Sequence, residues 1–564
     1  MARQGGRGLD GRALGGAVGL LVAASLWPSL ASAATLTVAT TDETSATDCT
    51  LPAAIIAANI NANFDGCQAT GYGDDTINIT ATGTISLTSS VPGITSNIEI
   101  DGPGAGQLDV HRQDGSGPFG IFAVGSGSTA TISDLTISNG LLTTIGQAGA
   151  GVRNSGTLTL EHVVVTDNHF AVVASSNNGG PAPTGGGIAN LGTMTLRESA
   201  VTGNTVSATN TGLEQALADA SGGGIINFGT LTVVRSAITG NEATATVTND
   251  DGLSGAFAAG GGLRNWVTSG TGTDIRLSTL SGNSTSASAP APSTATELGG
   301  GIWNFFGPLI LTSDTIAFNA ATTAANLSPQ ATETVTSTIL SDPVGGPNCD
   351  SGGVETDGGF NLVSPPGCIG LTALNADPEL QPLADNGGPT FTHELGAGSA
   401  AIDQGTSAGD LTDQRGLPRL VDIDLITNAD DGSDIGALEA QDSDDDGVTD
   451  AADSCPSLDG AGTASGCPAV ARGLTLGYSA RRERFKGKLT APAAPECADA
   501  REVSIFRKTS GPDKRVGKAT TKPNGAYKLK KHARRGKYYS TVKPETLPGV
   551  ADCAPAASLV RRVR

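Results

Sequence analysis

Between Gly149 and Asn319 one pattern of residues recurs five times with small changes. Its clearest copy opens Gly185-Gly186-Gly187-Ile188-Ala189-Asn190, passes through Thr193-Met194-Thr195-Leu196 and closes at Val201-Thr202-Gly203-Asn204. The first asparagines of the copies (Asn154, Asn190, Asn227, Asn265 and Asn304) stand 36, 37, 38 and 39 residues apart. A unit of fixed order and slowly growing length is a stacked repeat. Apolar residues inside it alternate or run in threes to fives between Gly and Asn, which is strand periodicity with turn punctuation. Three short strands per unit are expected, around Ile188, at Met194 to Leu196 and at Ala200 to Thr202. None can bury a core alone, but stacked on its equivalents each joins a continuous parallel sheet. Asparagines suit the corners, because they tolerate left-handed backbone and an amide can bond to the asparagine one coil further on. The stretches left over, such as 204–222, 241–260 and 283–299, read as long loops projecting from one side of the stack. Glycine at 79 of 564 residues, about twice the usual share, fits such a solenoid and not a helical protein.

The chain falls into four parts. Residues 1–33 read as a signal peptide: Arg3, Arg7 and Arg12, an apolar stretch from Ala13 to Leu26, and an Ala31-Ser32-Ala33 cleavage site. No later apolar run is long enough to span a bilayer, so a soluble, secreted protein is expected, extracellular or associated with the cell wall. Eight cysteines fall in four sequence-local pairs: Cys49 with Cys67, Cys349 with Cys368, Cys455 with Cys467, and Cys497 with Cys553. In an exported chain that pattern reads as disulfides. Charge is split between the ends. Residues 34–470 hold 8 Arg and no Lys against 47 Asp+Glu, a net of −39, whereas residues 471–564 hold 23 Lys+Arg against 7 Asp+Glu, a net of +16.

Near the start, Asp48-Cys49-Thr50-Leu51-Pro52-Ala53-Ala54-Ile55-Ile56-Ala57-Ala58-Asn59 reads as a short helix with Thr50 as N-cap, fit to cover the open end of a solenoid. It resembles the CSLREA-type segment of exported bacterial β-helix proteins, with Pro52-Ala53 where that family has Arg-Glu. Downstream, Pro382-Leu383-Ala384-Asp385-Asn386-Gly387-Gly388, Ala401-Ile402-Asp403-Gln404-Gly405, Asp413-Gln414-Arg415-Gly416 and Asp434-Ile435-Gly436-Ala437 form a series that resembles the choice-of-anchor Q region of such proteins. The coils themselves are similar to pectate-lyase-like and polymorphic outer-membrane-protein repeats. Over residues 34–440 the resemblance implies an all-β, right-handed parallel β-helix with an N-terminal cap, a fold that hosts lyases, hydrolases, adhesins and inert stalks.

Residues 441–470 carry the sharpest chemistry. Asp442, Asp444, Asp446, Asp450 and Asp453 stand at positions 1, 3, 5, 9 and 12 of a calcium loop, with Gly447 at 6 and the Val448 carbonyl at 7. The ending Asp453-Ser454-Cys455-Pro456 resembles a thrombospondin type 3 repeat, which implies Ca2+. Residues 471–564 alternate as strands around Lys522-Pro523-Asn524-Gly525 and read as a small basic β-sandwich, similar to Ig-like or transthyretin-like modules. Lys and Arg at alternate positions make either a plain solvated face or a cationic face for an anionic envelope polymer or polysaccharide. No nucleic-acid recognition motif is present.

No catalytic residue is assigned. The acidic series of polygalacturonase-type enzymes is absent and no lysine lies in the repeats. Asp109, His111, Arg112 and Asp114, and separately His162 and His169, read as ordinary surface polarity, and Arg153 and Arg264 share one repeat position. Phe228, Trp266 and Phe305 each follow a corner asparagine, so their rings should stack at the strand spacing of about 5 Å. An interior stack is expected, with Trp303 facing outward. The alternative is an exposed strip for sugar rings, which Trp303 would extend. The reading is a non-catalytic surface protein for adhesion or polysaccharide binding, with a polysaccharide lyase or hydrolase and a passive spacer as alternatives.

Overall fold

The computed structural model describes residues 33–249, 251–267, 270–350, 352–423, 426–460 and 462–564, so nearly all of the expected signal, 1–33, lies outside the described residues. Three all-parallel sheets form the body, with eleven, seven and eleven strands. One coil shows the plan: Ile188–Asn190 joins the seven-stranded sheet, Thr193–Arg197 the first eleven-stranded sheet and Ala200–Thr202 the other. Equivalent repeat positions lie side by side, Met194 beside Leu231 and Leu196 beside Val233. Ile188, Met194, Leu196 and Val201 thereby enter one continuous core and are wholly buried. This is the parallel β-helix that the periodicity predicts.

Two files of buried asparagine run through the coils. In one, the Nδ2 atoms of Asn154, Asn190, Asn227 and Asn265 each donate to the next asparagine's Oδ1, at 2.8, 2.8, 3.1 and 2.7 Å, and Asn304 donates to the buried Glu333 at 2.5 Å. In the other, Asn168, Asn204, Asn241 and Asn283 each donate to the next at 2.9 Å, and the file continues through Asn319 to Asn326 and Asn348. Amides aligned head to tail satisfy one another in a place water does not reach.

The first end is closed by the helix Leu51–Ile60, with Thr50 accepting from the Ala53 N–H and Pro52 in the first turn. Leu51, Ala54, Ile55, Ala57 and Ala58 sink into the core. All four expected disulfides are present. The bond from Cys49 to Cys67 pins the cap helix, and the bond from Cys349 to Cys368 closes the last coils. Cys455 is joined to Cys467 just after the acidic loop, and Cys497 to Cys553 within the terminal module.

The long stretches between repeats are not loops, contrary to the sequence reading. They fold into two more parallel sheets, one of five strands that includes Thr205–Asn210 and Glu242–Val247, and one of three, Leu217–Ser221, Gly255–Ala259 and Thr294–Leu298. Between them lies a second core of small residues: Ala208, Ala218, Ala220, Ala243, Ala245, Ala256 and Ala258 around Phe170 and Val206. Alanine every second residue is a strand pattern, and its small volume lets the two sheets close into a thin wing.

After the last coil, residues 375–440 fold back as a clasp over the second eleven-stranded sheet. Gln414 accepts from the Thr279 hydroxyl at 2.6 Å and donates to the Thr390 hydroxyl at 2.9 Å, and His393 pairs with the Ser281 hydroxyl at 2.8 Å. Residues 469–564 form a module of mainly antiparallel sheets, with Ala469–Val470 paired parallel to Ala551–Cys553, around Phe485, Leu489, Val503, Ile505, Tyr527 and Tyr538. Its disulfide ties the short helical turn Pro495–Ala498 to the strand Ala551–Cys553.

Candidate functional site

Two constellations gather residues of chemical interest. The first is the acidic loop. Gly447, with φ of 86°, turns the chain so that its own N–H donates to Asp442 at 2.8 Å. One carboxylate oxygen each from Asp442, Asp444 and Asp446 then falls within 4.8 Å of the others, a cluster that can hold a metal ion. Asp446 is anchored by donation from the Val448 and Gly460 N–H groups, at 2.9 and 3.0 Å. Both oxygens of Asp444 are buried without a well-formed hydrogen bond among the described residues, the Leu458 N–H being close enough only to draw the carboxyl down, and Oδ2 of Asp453 is likewise buried and unanswered among them. Burial, then the charges of Asp446, Asp453 and Asp442, raises the Asp444 carboxyl above its ordinary range. Hard oxygen donors packed together with unanswered lone pairs are what a divalent cation requires. Asp450 stands outside the trio and accepts from the Ser443 N–H and hydroxyl at 2.8 and 2.6 Å, bracing the loop, while the other oxygen of Asp453 caps the Cys455 N–H at 2.6 Å. The loop is also a joint. Gln441 donates to the Pro418 carbonyl of the clasp at 3.1 Å, and Ser465 to Asp552 of the terminal module at 2.5 Å.

The second constellation lies where the seven-stranded sheet meets the wing. Register places Arg264 beside Trp303 on the outer side of that sheet, and Asp219 beside Phe257 on the wing. The guanidinium of Arg264 sits 4.3 Å from the Trp266 ring centre and 4.5 Å from that of Trp303. It also bonds to the Ser221 hydroxyl and faces Asp219 at 3.9 Å. Burial pushes Arg264 down to about 10, against the pull of Asp219, whose own carboxyl is raised by burial.

The aromatic rung is thereby the reverse of the expected one. Phe228 and Trp266 are half-buried on the outside of the solenoid and Phe305 is 37% exposed, whereas Trp303, expected in the open, is 4% exposed beneath the wing. Interior positions on these strands belong to Asn227, Asn265 and Asn304, and strand alternation turns the following ring outward. Phe228 and Trp266 lie 5.9 Å apart and Trp266 and Phe305 5.2 Å apart, tilted by 45° and 81°, which makes a stepped strip with one ring per coil. Asp219 and Phe257 were missed because their stretches read as loops. The signal was the alanine alternation of 217–221 and 255–259.

The remaining polar candidates are occupied with one another. Ser138 donates to Asp109 at 2.7 Å and lies 2.8 Å from His111 Nδ1, while Asn139 donates to the Arg112 carbonyl at 2.7 Å and to Asp114 at 2.9 Å and lies 3.3 Å from His111 Nε2. Arg112 is buried and donates to the Asn139 and Ser116 carbonyls. His162 lies between Asp134 and Glu198 at 3.8 and 2.8 Å, and Arg235 pairs with Glu198, a ladder of charges on successive left-handed corners. His169 bonds to the Thr205 hydroxyl at 2.7 Å. Arg153 does share the register row of Arg264, three coils earlier, and is exposed.

Comparison with family models, characterised proteins and solved structures finds no match to this chain.

Proposed function

We propose that this is a secreted, surface-associated β-helix protein that binds polysaccharide without cleaving it, through the stepped aromatic strip of Phe228, Trp266 and Phe305. The observation that carries the reading is their placement on the outer side of the solenoid, two of them half-buried and Phe305 exposed. In a chain with 4% aromatic residues, these rings stand one per coil on the outside of the solenoid, at separations close to the rise of a sugar unit. Sugar rings offer apolar C–H faces to aromatic side chains, and Asp219 at the rim supplies a polar anchor for hydroxyls. Four disulfides fit a protein outside the reducing compartments, and among the described residues no helix is long and apolar enough to cross a membrane.

The metal of the acidic loop is calcium in this reading, since the donors are all oxygen and the spacing is that of a calcium loop. Its task is stiffness at the joint between clasp and terminal module. The test is a panel of neutral and acidic polysaccharides, assayed for binding and for release of reducing ends. Binding that Trp266→Ala weakens by about tenfold, about 1.4 kcal/mol, with no product, is expected; product release, or binding indifferent to Trp266→Ala and Phe305→Ala, overturns the reading. Calcium at millimolar levels should slow proteolysis of 440–470, and Asp444→Asn should abolish that protection.

A further inference from the structure

We infer that the terminal module carries a separate polyanion site on one sheet face, and that this site takes an acidic polysaccharide and stands the chain on it end-on. The face is defined by register. Phe506 lies beside Arg515 on one neighbouring strand and Tyr539 on the other, and Lys537 lies beside Arg562. Alternation sends Val503, Ile505, Tyr538 and Val563 into the core, so Phe506, Tyr539, Lys508, Lys537 and Arg562 share the outer side. At its centre the Phe506 and Tyr539 rings stack 5.5 Å apart with planes inclined by only 18°, and Lys508 Nζ lies 5.7 Å from the Tyr539 ring centre. Lys508, Arg515, Lys537 and Arg562 are exposed, and among the described residues none is in an ion pair. Two acids border the face and both are engaged: Glu502 pairs with Lys518 at 2.8 Å, and Asp513 accepts from the Tyr539 hydroxyl at 2.9 Å. Alongside, Arg535, Gly536, Lys537 and Arg562 line a hollow of about 700 Å³.

Unpaired cations on adjacent strands, about 5 Å apart, fit a polymer with regularly spaced anionic groups, and the two stacked rings between them offer a surface to the C–H faces of its sugars. Nucleic acid offers rings and phosphates too, but it is disfavoured by the rest of the chain. The body carries a net charge of −39 against +16 here. Duplex DNA, with a charge about every 1.7 Å, meets far more repulsion from such a body than a polysaccharide with one charge per sugar. The same asymmetry orients the molecule, because a polyanionic surface attracts the module and repels the solenoid. The aromatic strip is then held away from the surface. This site rests on the exported, surface-associated reading for the kind of polymer it meets, but not on the aromatic strip.

The test uses the full chain with its disulfides intact. Binding is measured to polygalacturonate, poly(glycerol phosphate), dextran and duplex DNA at about 50 and about 300 mM salt. Both acidic polymers should bind at low salt and release at high salt, and their ranking tells carboxylate from phosphate. Lys508→Ser/Arg515→Ser/Lys537→Ser/Arg562→Ser should weaken them by about tenfold or more. A control of equal charge change, Lys522→Ser/Lys528→Ser/Lys530→Ser/Lys531→Ser, should cost much less. All eight positions are exposed, so both variants should keep the parent's thermal midpoint. Equal loss in the two variants, no binding to either acidic polymer, or DNA bound as tightly as they are overturns the site. Poly(glycerol phosphate) has no sugar ring for the aromatic strip and dextran has no charge for this face, so failure of the strip and failure of this face are read separately.

Discussion

In the solenoid, Asn204, Asn241 and Asn283 are wholly buried and neutral, each answered by the next at 2.9 Å. In the clasp, Asp403, Asp434 and Glu439 are just as deeply buried but ionisable; Asp434 and Glu439 face one cation, Arg419, and Asp403 lies beside Asp434. Arg415 is spent on Asp413 at 2.7 Å. Arg419 gives its N–H groups to the Gly436 and Asp434 carbonyls at 3.1 and 2.9 Å and approaches Glu439 only to 3.8 Å. The three acids are instead held by backbone N–H donors: Asp403 to Asp434 at 2.8 Å, Asp434 to Glu439 at 2.9 Å and Ile423 to Asp403 at 3.2 Å. A repeated coil can answer every amide with a copy of itself. The clasp occurs once and has to balance unlike groups, and it has fewer positive charges than negative ones. The difference between a self-complementing polar core and an unbalanced one should appear in stability and in its dependence on pH.

The largest effect should come from Arg419→Met. Removing the cation from a fully buried acid cluster leaves uncompensated charge, at a cost of about 3–5 kcal/mol. Residues 375–440 should become sensitive to protease while the coils remain resistant. A resistant clasp would mean that the acids are already neutral and need no cation. Next comes Asn241→Ala. It orphans the N–H of Asn204 and takes one partner each, now at 2.9 Å, from the Val201 carbonyl and the amides of Asn204 and Asn283, which keep the Val165 carbonyl and the residue-241 N–H. The loss should be about 2–3 kcal/mol, the same at pH 5 and pH 8, with hydrogen exchange rising in the coils on either side. A pH-dependent loss would break the contrast.

How far this was legible in the residues follows the same line. Repetition made the solenoid readable: Asn154 to Asn304 fixed the step, and Met194-Thr195-Leu196 fixed which side faces in. Thr50 and Pro52 marked the cap. Proximity gave the disulfides, since partners such as Cys349 and Cys368, or Cys455 and Cys467, are separated by only 19 and 12 residues. The wing was lost because Ala218-Asp219-Ala220 lacks the β-branched residues that usually mark a strand; its strandedness comes from stacking, which no single copy displays. Trp303 was misplaced for a related reason. Alternation turns it out of the solenoid as expected, but the cover above it exists only once the wing is folded. Of the acidic loop, Asp442, Asp444 and Asp446 converge as their spacing suggests, whereas the bracing role of Asp450 depends on Ser443, which the calcium pattern leaves unspecified.

The pH response carries a definite sign. Burial is the main cause that raises Asp403 to about 6 and Asp434 to about 7, and burial with the nearby Asp434 charge raises Glu439 higher still. Each folded value lies above the ordinary carboxylate range, so folding favours the protonated acid. The stabilisation is complete below about pH 4 and is lost as pH rises through about 6 to 7, with Glu439 extending the loss to more alkaline pH. The clasp should therefore open to protease more readily at pH 8 than at pH 5, whereas the asparagines do not titrate, and a similar response in the solenoid should be confined to the coils that hold the buried acids Asp314 and Glu333, both also raised by burial.

The smallest and most discriminating change is Glu439→Gln. If Glu439 is kept neutral by burial and the nearby Asp434 charge, against the Asp434 N–H and the Arg419 guanidinium 3.8 Å away that favour its anion, then at pH 8 the native chain must take up a proton there on folding. Glutamine removes that requirement while retaining a carbonyl oxygen for the Asp434 N–H. The variant should be more stable at pH 8 by about 1 kcal/mol, near parity at pH 5, and flatter between the two. Loss of stability at pH 8 would instead identify an ionised Glu439 paired with Arg419. The clasp would then be balanced in the way the solenoid is, by partners that answer each other, and its contrast with the asparagine files would shrink to one of charge alone.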